Sequence, residues 1–315
     1  MTIVFISLYS SGCLSGGNKN NNFEIESGSI KETRVFGATF MTMNNPFFVE
    51  VNEGLKSVIE SNGDKLITLD PQLSQQKQIV EIEELISKKV DAIFLNPVDW
   101  KEIKPALDAA NKKGIPIIVV DAPVFDDMLV ECTVASDNWN AGVLVAKHMM
   151  ARKEAMNIVI LDFPINKPCI ERISGFLETI NNNSQYKVIA RYGTNGTLED
   201  AMPIMENVLE NNDDIDVVIG ANDPIAIGAL AALKAADKLD HVMIYGVDGS
   251  PDAKKLIKDG YMVGSAAQSP RHIGEKAADS AYKMLAGEKL EKDIKVPVSL
   301  VTQDNIDEYG TEDWQ

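Results

Sequence analysis

The stretch "RVFGATFMTMNNPFFVEVNEGLKSVIESNG", residues 34–63, decides the fold. Its first seven residues form a short continuous apolar run. Its second half sets Phe48, Val51, Leu55 and Val58 on one stripe at helical spacing. Between them, Asn45 followed by Pro46 has the form of a helix cap with proline at the first helical position. A strand that is apolar throughout, rather than alternating, is buried on both faces, as in a parallel sheet covered by helices. The adjacent pair Phe47 and Phe48 raises a separate question. A core favours aromatic residues three or four apart, and a solvated surface favours neither.

The same unit recurs along the chain. Further strands are expected at "KLITLD" (65–70), "AIFLNP" (92–97) and "IPIIVVDA" (115–122). Helices lie between them: "QIVEIEELISKK" aligns Ile79, Ile82 and Ile86, and "EIKPALDAANKKG" ends on the usual Lys-Lys-Gly stop. The pattern then restarts with "NIVILDFP" (157–164), "KVIARYG" (187–193), "IDVVIGAND" (215–223), "VMIYGVDG" (242–249) and "YMVGSAAQ" (261–268). Helices are expected to begin near Ala141, Ile170, Leu198, Pro224 and Pro251. A helix "RHIGEKAADSAYKMLAG" and a last strand "VPVSLVT" complete the chain. Two successive runs of this kind predict an α/β protein of two Rossmann-like, doubly wound parallel-sheet domains. The 315 residues suffice for two cores.

Charge narrows the partners. Lys and Arg number 30 against 47 Asp and Glu, a net charge of −17 with no basic block. Such a surface repels phosphates, and nucleic acid is not expected as a partner. At the start, "TIVFISLY" is too short to span a bilayer and has the size of a signal-peptide core. The small residues "SSG", then Cys13, then the polar "LSGGNKNNNFEIESGS" resemble a bacterial lipoprotein signal. That likeness makes Cys13 the lipidated residue and residues 1–32 a signal and flexible tether, although Ser10 stands where such signals usually carry Leu. Cys132 and Cys169 are isolated, and His148, His241 and His272 are scattered, so neither a disulfide framework nor a metal site is expected.

In open parallel sheets, ligands sit beyond the carboxyl ends of the strands. The residues found there are Thr42, Asn44, Asn45, Pro46, Phe47 and Phe48, then Asn96, Asp121, Asp162, Asn222 with Asp223, Asp248 and Gln268. No nucleophile has a histidine base beside it in sequence, and no HExxH, Walker or GxGxxG motif appears. Asp121 and Asp248 could form the carboxylate pair of a glycosidase. Carboxylates also bridge sugar hydroxyls without reacting. Asn and Gln supply both donor and acceptor, and phenylalanine faces cover the C–H face of a sugar ring. The set fits a polyhydroxylated, neutral ligand.

The ordered motifs "TMNNPFF", "FLNPVD", "VVDAP", "TVASDNWNAG", "ERISGF", "GANDPIAIGALAAL", "YGVDGSPDAKKLIKDG" and "AAQSPRHIGEKAAD" resemble the ribose-type periplasmic sugar-binding proteins, the solute-binding components of ABC importers, over about residues 33–302. The resemblance implies the type I periplasmic binding protein fold, its two domains joined by a three-stranded hinge and closing on one sugar. It places residues 33–136 plus 269–298 in the first lobe and 137–268 plus 299–315 in the second, with crossings near Ser136–Asp137, Gln268–Ser269 and Val298–Leu300. It implies Asn45, Phe47, Phe48, Asn96, Asp121, Asn222, Asp248 and Gln268 as ligand contacts, with no catalysis and no cofactor. The partners implied are an ABC permease and, through the lipid anchor alone, the membrane; the protein would be an extracytoplasmic monomer. Two departures bear on the ligand. Ala122 and Ile170 stand where ribose binders are expected to carry arginines, and an aromatic is replaced near Asn195 and Gly196. Asp121 and Asp248 would then be less neutralised and the pocket larger and less polar, which does not argue for ribose. Other readings are a binding protein serving a chemoreceptor or sensor kinase, a sugar-responsive repressor core, and a carbohydrate-active enzyme. The repressor would need a basic helix-turn-helix where the apolar run and Asn-rich tether stand.

Overall fold

The computed structural model describes residues 32–181 and 183–315. Cys13 and the tether lie outside the described residues. The first run of elements is β1 (Val35–Thr39), α1 (Pro46–Ser61), β2 (Lys65–Leu69), α2 (Gln75–Ser87), β3 (Ala92–Leu95), α3 (Lys104–Lys112), β4 (Ile117–Val120) and β5 (Cys132–Ser136). The second begins with α4 (Asn138–Arg152), β6 (Met156–Asp162), α5 (Lys167–Ile180), β7 (Tyr186–Gly193) and α6 (Leu198–Asn211). It continues through β8 (Val217–Gly220), α7 (Asp223–Ala235), β9 (Met243–Asp248), α8 (Pro251–Lys258) and β10 (Gly264–Ala267). Then come α9 (Pro270–Leu285), β11 (Asp293–Val296), β12 (Ser299–Thr302) and α10 (Ile306–Tyr309).

These strands form two six-stranded sheets, ordered β11-β5-β4-β3-β1-β2 and β12-β10-β9-β8-β6-β7. All pairings in the first are parallel. In the second, only β12 runs antiparallel, against β10. The fold class expected from the alternating pattern is the one observed. In each sheet the strand order reverses beside the first strand of its run, at β1/β3 and at β6/β8. Those are the switch points where a crevice opens.

Two strands escaped the sequence reading. β5 is the short "CTVAS", whose Thr and Ser dilute the apolar run. The expected single strand "VPVSLVT" is in fact two, because Pro297 cannot donate to a ladder. β11 ends at Val296 and joins the first sheet, whereas β12 starts at Ser299 and joins the second. The chain therefore passes between the sheets three times: after β5, after β10 and between β11 and β12.

Each lobe is closed by a helix pair in backbone contact. In the first, a Cβ on Gly54 of α1 would fall 2.0 Å from the Arg271 carbonyl oxygen, and one on Gly274 of α9 would fall 2.0 Å from that of Val51. Thus α9 returns to the first lobe, with Ile273, Ala277 and Ala281 packed among Phe36, Val51 and Leu55. In the second, Gly142 of α4 and Gly175 of α5 approach the Arg172 and Trp139 carbonyl oxygens, where a Cβ would lie at 1.8 and 2.1 Å. Only glycine permits this spacing.

Candidate ligand-binding cleft

A cleft of about 690 Å³ lies between the two lobes, within the usual size for a small-molecule site. Its walls are strand ends and helix starts. Four of the helices whose first turns line it open with a side-chain cap and a proline: Asn45 with Pro46, Asn166 with Pro168, Asn222 with Pro224, and Ser250 with Pro251. Each cap accepts from a backbone N–H of its own first turn, at 2.9–3.2 Å. The caps satisfy orphan helix donors and fix the angle at which each helix enters the cleft.

The first lobe contributes Asn45, Phe47, Phe48 and Asp121 to the lining. Phe47 and Phe48 meet edge to face at 5.3 Å. Phe48 leans inward on Phe40, with centroids 6.0 Å apart, and both rings belong to the apolar core of the lobe. The pair is therefore half core and half wall. Phe48 anchors, and Phe47 is held against it at the cleft surface.

Asp121 follows β4 with φ 66°, in the left-handed region. Strain of this kind collects at functional sites. Its Oδ2 accepts from Asn96 Nδ2 at 3.3 Å. Asn96 itself is wholly buried and absent from the cleft lining. Its Oδ1 accepts from Met41 N at 3.2 Å, and its Nδ2 also donates to the Val120 carbonyl at 3.2 Å. The structure thus gives Asn96 a supporting place behind Asp121, because β3 ends one layer deeper than β4.

The second lobe contributes Asn222, Asp248 and Gln268. Asp248 also has a strained backbone, φ 144°. Its Oδ1 accepts from Gln268 Nε2 at 2.8 Å and from Arg172 Nη1 at 3.2 Å. Gln268 is buried, and its Oε1 has no partner. Asn222 is committed at both ends, its Oδ1 to Ile225 N and its Nδ2 to the Gly196 carbonyl. Asp223 lies behind, fully buried, accepting from Ser265 Oγ at 2.6 Å and Ser250 N at 2.8 Å. Asp162 is absent from the lining and pairs with Arg191.

Three residues went unrecognised in the sequence. Arg172 lines the cleft, buried, with Nε on Asn138 Oδ1 at 2.8 Å and Nη1 on the Ala221 carbonyl at 3.1 Å. It gives Asp248 a cation although Ile170 replaces the expected arginine: the partner comes from the "ERISGF" motif itself, two residues beyond Ile170. Trp314 meets Phe47 edge to face at 5.7 Å. Buried Lys254 holds that segment in place by donating to the Asp313 carbonyl. Phe163 supplies the aromatic surface expected to be missing near Asn195 and Gly196. A Cβ on Gly196 would fall 2.6 Å from its ring. No periodicity marks Trp314, whereas Arg172 is signalled by sitting one helical turn ahead of Phe176 on the buried face of α5.

Burial dominates the electrostatics. Desolvation pushes Asp121 up to about 7 against the pull of Arg172, while the charge on Asp248 adds to the rise. Asp223 is likewise pushed to about 7, by burial and then by Asp248. Burial also raises Asp248, against the opposing pull of Arg172. The Cys169 thiol, buried beside them, is pushed up to about 12 and is no nucleophile. No cluster of His, Cys, Asp and Glu among the described residues could hold a metal. No helix among them is long and apolar enough to cross a membrane. Aromatic rings, carboxylates and amides thus share one cleft wall.

The comparisons agree with this geometry. A profile of the periplasmic binding protein domain matches residues 36–289. The ribose import binding protein RbsB of Bacillus subtilis (strain 168) is 34% identical over 279 residues, covering 88% of this chain and 90% of that protein. Among solved structures, an ABC transporter solute binding protein from Bacillus halodurans C-125 with bound myo-inositol superposes with a TM-score of 0.82 at 28% identity, covering 88% of this chain and 97% of the other. A periplasmic solute binding protein from Actinobacillus succinogenes 130z with bound D-allose gives 0.82 at 27% identity, covering 88% and 100%. With two parallel-sheet lobes, three crossings and a cleft at the switch points, the chain belongs to the periplasmic binding protein family.

Proposed function

We propose that this protein is the extracytoplasmic solute-binding component of an ABC importer and captures a monosaccharide, polyol or related small polar ligand by closing its two lobes. One observation carries the reading. Asp121 from one lobe and Arg172, Asp248 and Gln268 from the other converge on one cleft that Phe47 also lines. That combination matches the hydroxyl edges and C–H face of a ring. Asn45, Phe47, Phe48, Asp121, Asn222, Asp248, Gln268 and Arg172 form the ligand wall, with Asn96 positioning Asp121. The lobes comprise residues 33–136 plus 269–298 and 137–268 plus 299–315, hinged at the three crossings. The protein acts as a monomer, without covalent chemistry, and hands its ligand to a membrane permease.

Cys13 is the membrane anchor in this reading, supported by the "SSGC" stretch after a short apolar run. Mass spectrometry of the mature protein should find a diacylglyceryl cysteine at its N-terminus. An unmodified N-terminus beyond residue 13 would remove the anchor but leave the binding function. For the ligand, a thermal-shift screen over pentoses, hexoses, polyols, cyclitols, amino sugars and nucleosides tests the reading directly. At least one sugar-like compound should raise Tm, and stabilisation by nucleosides alone would defeat the assignment.

A further inference from the structure

The cleft is unbalanced in charge and in hydrogen-bonding capacity. Among the described residues, three carboxylates line it, Asp121, Asp248 and Asp252, and Arg172 is the one cationic side chain of the lining. That guanidinium is largely spent. It pairs directly with Asp248, and its other contacts go to Asn138 and the Ala221 carbonyl. Asp121, from the opposite lobe, is left with the neutral amide of Asn96 as its hydrogen-bond partner.

A second observation is independent of charge. Gln268 is 2% exposed and lines the cleft, its Nε2 is committed to Asp248, and its Oε1 has no donor. The amide of Asn222 goes to Gly196 and does not serve it. The cleft thus combines an open buried acceptor with an excess of negative charge.

Resting on the sugar-binding reading above, we propose that the natural ligand is a polyhydroxylated ring bearing a protonated amine, an amino sugar or aminocyclitol, with Asp121 as its counter-charge. An ammonium brings three N–H donors and one positive charge in a compact group. A neutral hydroxyl could satisfy Gln268 Oε1 equally well. Unlike an ammonium, it brings no charge to pair with Asp121 in a cleft that closes away from water. The ring hydroxyls would use the Asp248–Gln268–Arg172 group, and the amine would face Asp121.

Titration calorimetry at pH 7.5 tests the proposal with D-glucosamine, D-galactosamine and an inosamine. Each is set against its parent (D-glucose, D-galactose, myo-inositol), and the two hexosamines also against their N-acetyl forms. At least one free amine should bind tenfold or more tightly than its neutral counterparts. Asp121→Asn should erase that preference, bringing the ratio of amine to parent affinity close to one. Asn tolerates the left-handed backbone at this position, so the variant is expected to fold, and its melting curve checks that. A neutral parent binding as tightly as its amine overturns the inference and leaves the sugar-binding reading standing. Amine preference surviving intact in Asp121→Asn also overturns it. If nothing in either class binds, the amine inference falls, and the wider screen above decides the sugar-binding reading.

Discussion

Arg172 and Asp248 are locked to each other, with Nη1 3.2 Å from Oδ1, and the guanidinium is simultaneously fixed by Asn138 on the neighbouring helix. Both side chains are largely buried, at 5% and 15% exposure. The pair joins the end of β9 to α5, and α5 is set by the glycine contact with α4. The floor of the second lobe is thus one connected unit.

Removing one member of such a pair strands the other. Arg172→Ala should therefore lower unfolding free energy by about 3–5 kcal/mol, the range for breaking a buried pair. It should also weaken ligand binding by more than tenfold. Urea melts and calorimetry on the same preparation measure both, and unchanged stability would mean that Asp248 is hydrated.

Phe47 and Phe48 should separate in their effects. Phe47→Ala removes a ring at the cleft surface and should weaken ligand binding tenfold or more, at least about 1.4 kcal/mol. Phe48→Ala opens the core beside Phe40 and should cost about 3–5 kcal/mol of stability. Melting temperatures and affinities of the two variants, compared side by side, decide the division of labour.

The carboxylates give a signed pH dependence. Asp121 and Asp223 are both pushed to about 7 by burial. Their unfolded counterparts titrate near 4, so between about pH 4 and 7 the folded protein holds more protons than the unfolded chain. Unliganded stability should therefore fall as pH rises through that window. Differential scanning calorimetry from pH 4.5 to 8 should show the decline, with a shallower slope in Asp121→Asn.

Gly175 is constrained by neighbours rather than by its own backbone. Gly175→Ala places a methyl 2.1 Å from the Trp139 carbonyl oxygen. Forcing α4 from α5 should cost about 1–3 kcal/mol and, by shifting Arg172 relative to Asn138, also reduce ligand affinity. Loss of stability with full affinity retained would show that the helix spacing does not set the floor.

The strand-and-helix alternation was legible because parallel strands buried on both faces write themselves as apolar runs, and because Asn or Ser followed within two residues by Pro marks helix starts. The runs around Phe36, Phe94 and Val119 and the starts at Pro46, Pro224 and Pro251 are of this kind. What stayed hidden has two causes. β5 and β11 are short edge-side strands of mixed polarity, four or five residues long, whose place is dictated by the sheet they join. Trp314, Phe163 and the support given by Asn96 depend on tertiary juxtaposition across many residues of sequence. A strand-end position identified Asp121, Asp248 and Gln268 as wall residues. It could not reveal that Asn96 faces the interior.

The contact between Trp314 and Phe47 has an optical consequence. Trp100 lies beside Phe125 and Lys101, away from the cleft lining, and Trp139 sits on α4. Of the chain's three indoles, only Trp314 lines the cleft, and it does so against the ring assigned to ligand stacking. Occupancy should therefore change the emission of a single chromophore, making the unlabelled protein its own fluorescent gauge of what it has captured.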